Sequence, residues 1–151
     1  MKIRDVKING IRNPVGFDFS HISCSWKVDD APGKRQEKAE ITVSAGGTVL
    51  LKKSGVLDAL GEPLEFRLSP RSRYDVTIAI MDETGASARS EGAFFETGKL
   101  NEPWRAQFIT TAPEDNFHPM FFRDFSLLGE VMSAKLHVTG LGLYEAFLNG
   151  E

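Results

Sequence analysis

The chain has 151 residues and a mass of 16.7 kDa, room for one ordinary domain or a small domain with part of another. With 41% hydrophobic and 10% aromatic residues it can bury a core, which excludes a disordered tail. A net charge of −3, a pI near 5.7 and interspersed acids and bases argue against nucleic acid or an anionic membrane as partner, because both call for a basic face.

In chain order, the opening run "MKIRDVKINGIRNP" lacks the apolar stretch of a secretory leader. No segment approaches the roughly 20 apolar residues of a membrane span, so a cytoplasmic location is expected. Residues 2–9 alternate through Ile3 and Ile8 until "NPVG" breaks the run. Residues 21–28 put Ile22, Cys24, Trp26 and Val28 on one face at period two. Cys24 is the single cysteine, so no internal disulfide forms, and a buried, inert thiol is expected.

After the polar loop "DDAPGKRQ", Ala39, Ile41 and Val43 share a face, and Gly46-Gly47 reads as a hairpin turn into "TVLLKKSG". "GVLDAL" (55–60) is the best candidate for a helical turn, too short to stand alone. "LEFRL" (64–68) reads as a short strand, and 73–82 alternates through Tyr74, Val76, Ile78 and Ile80. "ETGA" is a turn, and "SARSEGAFFETG" reads as one closing strand. About seven short strands in this stretch predict an antiparallel β-sandwich of fibronectin type III or immunoglobulin type over residues 1–98. Leu68, Pro70 and Tyr74 fall at the spacing of a tyrosine corner, with Trp26 as the central core aromatic.

Residues 99–103 read as a linker, 104–110 as a short strand, and 135–139 and 143–148 as two more. Ala134, Leu136 and Val138 share one face there, as do Tyr144, Ala146 and Leu148. A unit of this size buries too little apolar surface to offset chain entropy alone, so 104–151 is expected to be an incomplete second β-sandwich. Asn149-Gly150 is a strong hairpin signal with only Glu151 after it, which places the last residue inside that sandwich. Unpaired strands at 133–148 would offer open edges, so either docking onto the first domain or a homo-oligomer through those edges is expected.

No catalytic set stands out. The acidic pairs Asp29-Asp30, Asp82-Glu83 and Glu114-Asp115 fall in predicted turns, where they serve turn geometry and solubility. Ser20 and His21, as strand neighbours, would point apart. His21, His118 and His137 lack partners at metal-ligand spacing, and Asp115, Asn116 and His118 read as a solvated loop, so neither a metal nor a cofactor is expected. Lys34-Arg35 and the pair Arg71, Arg73 read as solvated loop charges. Trp104, Phe117 and Phe121 are candidate carbohydrate-stacking aromatics. The favoured reading is instead that Trp104 and Phe121, Phe122 and Phe125 pack between the two units, because strand positions this rich in Phe usually face a core.

The ordered segments "NPVGFDFSHISCSWKV", "AFFETGKLNEPWRAQFIT", "FFRDFSL" and "AKLHVTGLGLYEAFLNG" resemble the N-terminal region of bacterial α-L-rhamnosidases across essentially the whole chain. The most specific matches are Phe95 to Gly98 with Trp104 and Ala106, and the closing Gly140, Gly142, Tyr144, Glu145, Leu148, Asn149 and Gly150. "SCSW" at 23–26 and Phe108, where Trp is common, depart from the family pattern. The resemblance implies a multidomain, inverting glycoside hydrolase acting on terminal α-L-rhamnosides. Its catalytic acids sit on a downstream helical barrel, so no catalytic residue carries over to this sequence. The implied role is a non-catalytic support whose partners are the downstream domains of the same polypeptide. The alternatives are a module binding rhamnose-containing glycans and a generic protein-interaction sandwich.

Overall fold

The computed structural model describes residues 1–112 and 118–151. The chain divides into two units, Met1–Pro103 and Trp104–Glu151.

In the first unit every regular element is a strand: β1 Lys2–Ile8, β2 Val15–Phe17, β3 Ile22–Asp29, β4 Gln36–Ala45, β5 Thr48–Gly55, β6 Glu62–Leu64, β7 Arg73–Asp82, β8 Ser87–Arg89 and β9 Ala93–Thr97. One sheet has the order β1-β3-β6, and the other the order β2-β9-β7-β4-β5, with β8 also paired to β7. The strands with clean alternation form as the pattern dictates. On β3, β4 and β7 the apolar set Ile22, Cys24, Trp26, Ala39, Ile41, Val43, Tyr74, Val76, Ile78 and Ile80 is buried, because period two sends alternate side chains to one face. Gly46 and Gly47 close β4 onto β5 with Ala45 opposite Thr48. Their φ values of +54° and +83° suit the two-residue turn whose twist matches the strands.

Other elements differ from the sequence expectation, each for a local reason. Ile3 and Ile8 are five positions apart and would face opposite ways in a regular strand, yet both are buried. A bulge between Arg4 and Lys7, where Asp5 takes φ +57°, adds one residue to β1 relative to β3 and restores the inward face. Residues 55–60 form no helical turn. Asp58 Oδ1 accepts from Leu60 N at 2.9 Å and Asp58 O from Gly61 N at 3.4 Å, so the side chain directs a tight turn instead.

The strand expected at 64–68 is displaced to β6, where Pro63 is accommodated on an edge strand. Phe66 leaves the ladder and packs edge-on against Tyr74, at 5.6 Å between ring centres. The closing strand is two strands, β8 and β9, separated by Ser90-Glu91-Gly92. Ile78 N donates to Ser90 Oγ at 2.9 Å and Ser90 N to Ile78 O at 2.7 Å, so backbone pairing is carried across the break. β2 has no counterpart among the predicted strands and runs parallel to β9, joining the start of the unit to its end.

The core lies between the two sheets. Tyr74 stacks on Phe95 at 4.9 Å, and Phe19 meets Phe95 edge-on at 5.7 Å. Trp26 is buried, and its Nε1 donates to Gln36 Oε1 at 3.3 Å, which satisfies the indole. Cys24 is fully buried, and burial, followed by the Glu62 charge, pushes its thiol up to about 12. That removes it as a nucleophile at neutral pH.

The described residues of the second unit form no strand, so the strands and open strand edges expected at 104–110, 135–139 and 143–148 are not seen. Leu136, Val138, Tyr144 and Leu148 are exposed rather than turned to a shared core. The Asn149-Gly150 turn does form: Leu148 N donates to Glu151 O at 2.8 Å and Glu151 N to Leu148 O at 3.2 Å, with φ +55° and +88° at the two central residues.

Candidate functional site

Of the three aromatics expected to stack on sugar, Trp104 is 49% and Phe121 51% exposed, and Phe117 lies outside the described residues. Phe122 and Phe125 are exposed as well. Trp104 and Phe121 each leave about half of their surface accessible to solvent.

The corner expected around Tyr74 is built as follows. Tyr74 sits at the start of β7, and its hydroxyl accepts from Ser69 N at 2.6 Å while facing Ser69 O at 3.5 Å. Pro70 O accepts from Ser72 Oγ at 2.9 Å, and Leu68 is half-buried against the core. Thr97 Oγ1 completes the corner from β9: it accepts from Ser72 N at 3.0 Å and donates to Ser69 O at 2.7 Å. The last strand is therefore fastened to the turn that introduces β7.

The chain that leaves this corner is held from two sides. Gly98 N donates to Phe17 O at 2.8 Å and Gly98 O accepts from Arg71 N at 2.8 Å. A Cβ at Gly98 would stand 2.5 Å from Asp18 Oδ1 and 2.6 Å from Gly16 O, so only glycine fits. Beyond it, Leu100 N donates to Asp18 Oδ1 at 2.7 Å, and the Arg71 guanidinium grips Glu102 with Nε at 2.8 Å and Nη2 at 3.0 Å. Arg71 is thus paired instead of being a simple solvated charge. Arg73 is occupied too, lying 3.7 Å from the centre of the Phe94 ring and 3.2 Å from Asp75 Oδ1. Arg35 pairs with Glu83 at 3.4 Å.

A shallow depression of about 450 Å³ lies over the β1 bulge, lined in part by Arg4, Asp5, Arg12, Asn13 and Glu91. Its Arg4, Asp5 and Arg12 charges are already engaged. Asp5 accepts from Arg12 Nε at 2.5 Å and lies 3.5 Å from both Lys7 and Lys27, while Arg4 pairs with Asp29. The Arg12 hydrogen bond holds the Asp5 carboxyl below the usual carboxylate range, against the effect of burial. Asp82 is likewise lowered, first by the Thr84 hydroxyl. Glu62 is pushed up by burial but lowered on balance by Lys53, whose Nζ is 2.5 Å away, and by Asp58 N.

These carboxylates hold loops and neutralise cations, so they have no free role as acid or base. Ser20 Oγ and His21 Nδ1 do meet, at 3.1 Å, because both precede β3 and escape its alternation. Among the described residues no carboxylate pairs with His21, and no group of three or more His, Cys, Asp or Glu side chains is placed to hold a metal ion.

The family model described as the Rha78A-like, N-terminal immunoglobulin domain matches residues 3–101. The chain belongs to that family. This immunoglobulin domain is accordingly homologous to the N-terminal domain of α-L-rhamnosidases. The α-L-rhamnosidase of Streptomyces avermitilis is 26% identical over 125 residues, covering 73% of this chain and 12% of that protein. That of Alteromonas sp. (strain LOR) is also 26% identical, covering 94% of this chain and 18% of that protein. The solved α-L-rhamnosidase of Dictyoglumus thermophilum superposes with a TM-score of 0.64 at 24% identity, over 75% of this chain and 14% of that one, which shows the shared all-β fold.

The chain therefore spans between 12% and 18% of the length of these curated relatives. The sequence points to Tyr74 and the "FETG" run of the immunoglobulin domain, but it reads Arg71 as a solvated charge and gives Asp18 and Glu102 no role. Their only trace in the sequence was an acidic residue after "VGF" and a basic one after Pro70, which no local pattern distinguishes from solvated loop charge.

Proposed function

We propose that this chain is a non-catalytic accessory part of an α-L-rhamnosidase, a mount that supports and orients the domains which perform glycoside hydrolysis. The observation that carries this reading is the match of residues 3–101 to an N-terminal immunoglobulin domain, within relatives several times longer than this chain. The pairing of Asp5, Glu62 and Asp82 supports it, since carboxylates committed to structural hydrogen bonds are poor candidates for the two-carboxylate chemistry of glycosidases. Its partners on this reading are the other domains of the same polypeptide.

An aryl α-L-rhamnoside provides the test. The isolated chain is expected to release no aryl alcohol above the buffer blank, whereas a polypeptide joining it to a catalytic domain releases it. Turnover by the chain alone would overturn the accessory role, and an inert joined polypeptide would overturn the rhamnosidase assignment.

The exposure of Trp104 and Phe121 favours a second reading, a surface that binds rhamnose-containing glycans. Of the two tryptophans, Trp26 is 3% and Trp104 49% exposed, so a sugar-dependent change in emission reports mainly on Trp104. A flat titration at sugar concentrations around those of weak sites, about 1 mM and above, sinks it.

A further inference from the structure

Residues 99–103 have the composition of a tether, with Asn101 and Pro103 and no apolar alternation. Their bonding is not that of a tether. The segment begins at Gly98, which is buried and locked between Phe17 O and Arg71 N. Leu100 then takes φ +49°, a left-handed conformation that a leucine adopts only where its surroundings enforce it. The enforcing contact is the 2.7 Å hydrogen bond from Leu100 N to Asp18 Oδ1. The backbone next turns on itself, Glu102 N donating to Lys99 O at 2.9 Å. The turn is held from outside by the two-pronged Arg71 guanidinium on the Glu102 carboxylate, with Lys99 Nζ at 4.0 Å.

These anchors come from two separate places in the chain, the residues after β2 and the turn before β7, and they act on different residues of the segment. One contact would leave the segment free to pivot. Contacts at Gly98, Leu100 and Glu102 restrain the backbone between β9 and Glu102 at three successive points.

We infer that residues 99–103 are a rigid strut, and that Asp18, Arg71 and Glu102 are positioning residues that fix the place and heading of the backbone as it leaves the immunoglobulin domain. On this view the domain does more than precede whatever follows: it sets the direction in which the chain continues. The inference goes beyond the accessory role proposed above and holds or fails independently of any rhamnosidase activity, because its test measures motion and no turnover.

Backbone amide relaxation on the intact chain decides it. Order parameters at Leu100 and Glu102 are expected to equal those of β7 and β9, about 0.85, where a flexible linker falls below about 0.6. In the double substitution Asp18→Ala with Glu102→Ala they should fall toward the flexible value, while Val76 and Phe95 stay rigid and report that the sandwich is intact. Asp18→Asn keeps a side-chain oxygen for Leu100 N and should preserve the rigid value. Both substituted side chains lie outside the core, so the variants are expected to fold. If a variant nevertheless unfolds, the wild-type values alone still decide. Flexible values in the wild type, or rigid values that survive the double substitution, overturn the strut.

Discussion

Asp82 shows how a single side chain can hold two loops. It is buried at the end of β7, and its carboxylate accepts from Gly33 N at 2.8 Å, Thr84 N at 2.9 Å, Thr84 Oγ1 at 2.6 Å and Ala86 N at 3.1 Å. Gly33 must come this close: a Cβ there would stand 2.9 Å from Asp82 Oδ2. Donors that favour the ionised form lower the folded-state pKa, so the stabilisation is complete above the unfolded value of about 3.9 and is lost as pH falls through the lowered folded value. Asp5 and Glu62 are lowered as well and act in the same direction.

Asp82→Asn should therefore be less stable than the wild type at about pH 7, because Gly33 N or the Thr84 pair loses its charged acceptor. The same variant should lose less stability between about pH 6 and about pH 3. Urea midpoints for both proteins across that range provide the measurement, and parallel pH curves would show that Asp82 does not titrate in this way. The role of Asp82 as a turn residue followed from its sequence neighbours, Glu83, Thr84 and Gly85. Its grip on Gly33 did not, because the two are separated by 49 positions and only the sheet order brings them together.

Among the elements, what could be inferred beforehand tracks how local the determinants are. β3, β4 and β7 carry eight to ten residues of alternating polarity, and such a pattern admits one buried face. β2 has three residues, Val15, Gly16 and Phe17, whose pairing partner lies on β9, so no window of sequence contains the information that makes it a strand. The β1 bulge hid behind the same limitation: Ile3 and Ile8 look out of phase until β3 supplies the register. In the described part of 104–151, alternation without a paired strand was not sufficient to form a sheet.

The β4–β5 hairpin is the most local element and allows a sharp test. Both central residues need positive φ, which asparagine tolerates at the first position and a β-branched residue does not tolerate at the second. Gly46→Asn should leave stability within about 0.5 kcal/mol of the wild type. Gly47→Val should cost about 1–2 kcal/mol through left-handed strain, a drop of several degrees in Tm. Equal melting temperatures for the two variants would refute the assigned turn geometry.

At the scale of the whole molecule, among the described residues every member of the buried hydrophobic core lies between Ile3 and Phe95, so stability should reside in the first unit. A chain ending at Pro103 is expected to melt cooperatively with a Tm within about 2 °C of the full chain, less than the shift that about 1 kcal/mol brings in a domain of this size. Calorimetry showing a larger loss would assign residues 104–151 a stabilising role that the exposed side chains of the described residues there do not suggest. β9 adds a consequence in time. It is the last strand of the immunoglobulin sandwich to be made, yet it sits inside its sheet, between β2 and β7. The bond from Leu100 to Asp18 spans 82 positions. At a synthesis rate of about 5–20 residues per second, β2 waits on the order of ten seconds for its only partner strand. Only at the end of that interval, once β7 is complete at Asp82, does the nascent sheet show a bare β7 margin, and its Arg73–Val76 part stays uncovered until β9 follows, because β8 pairs only with Ala79–Met81. A stall or cleavage just short of residue 93 would therefore leave behind a sticky, gap-edged sheet and not a slightly shortened domain.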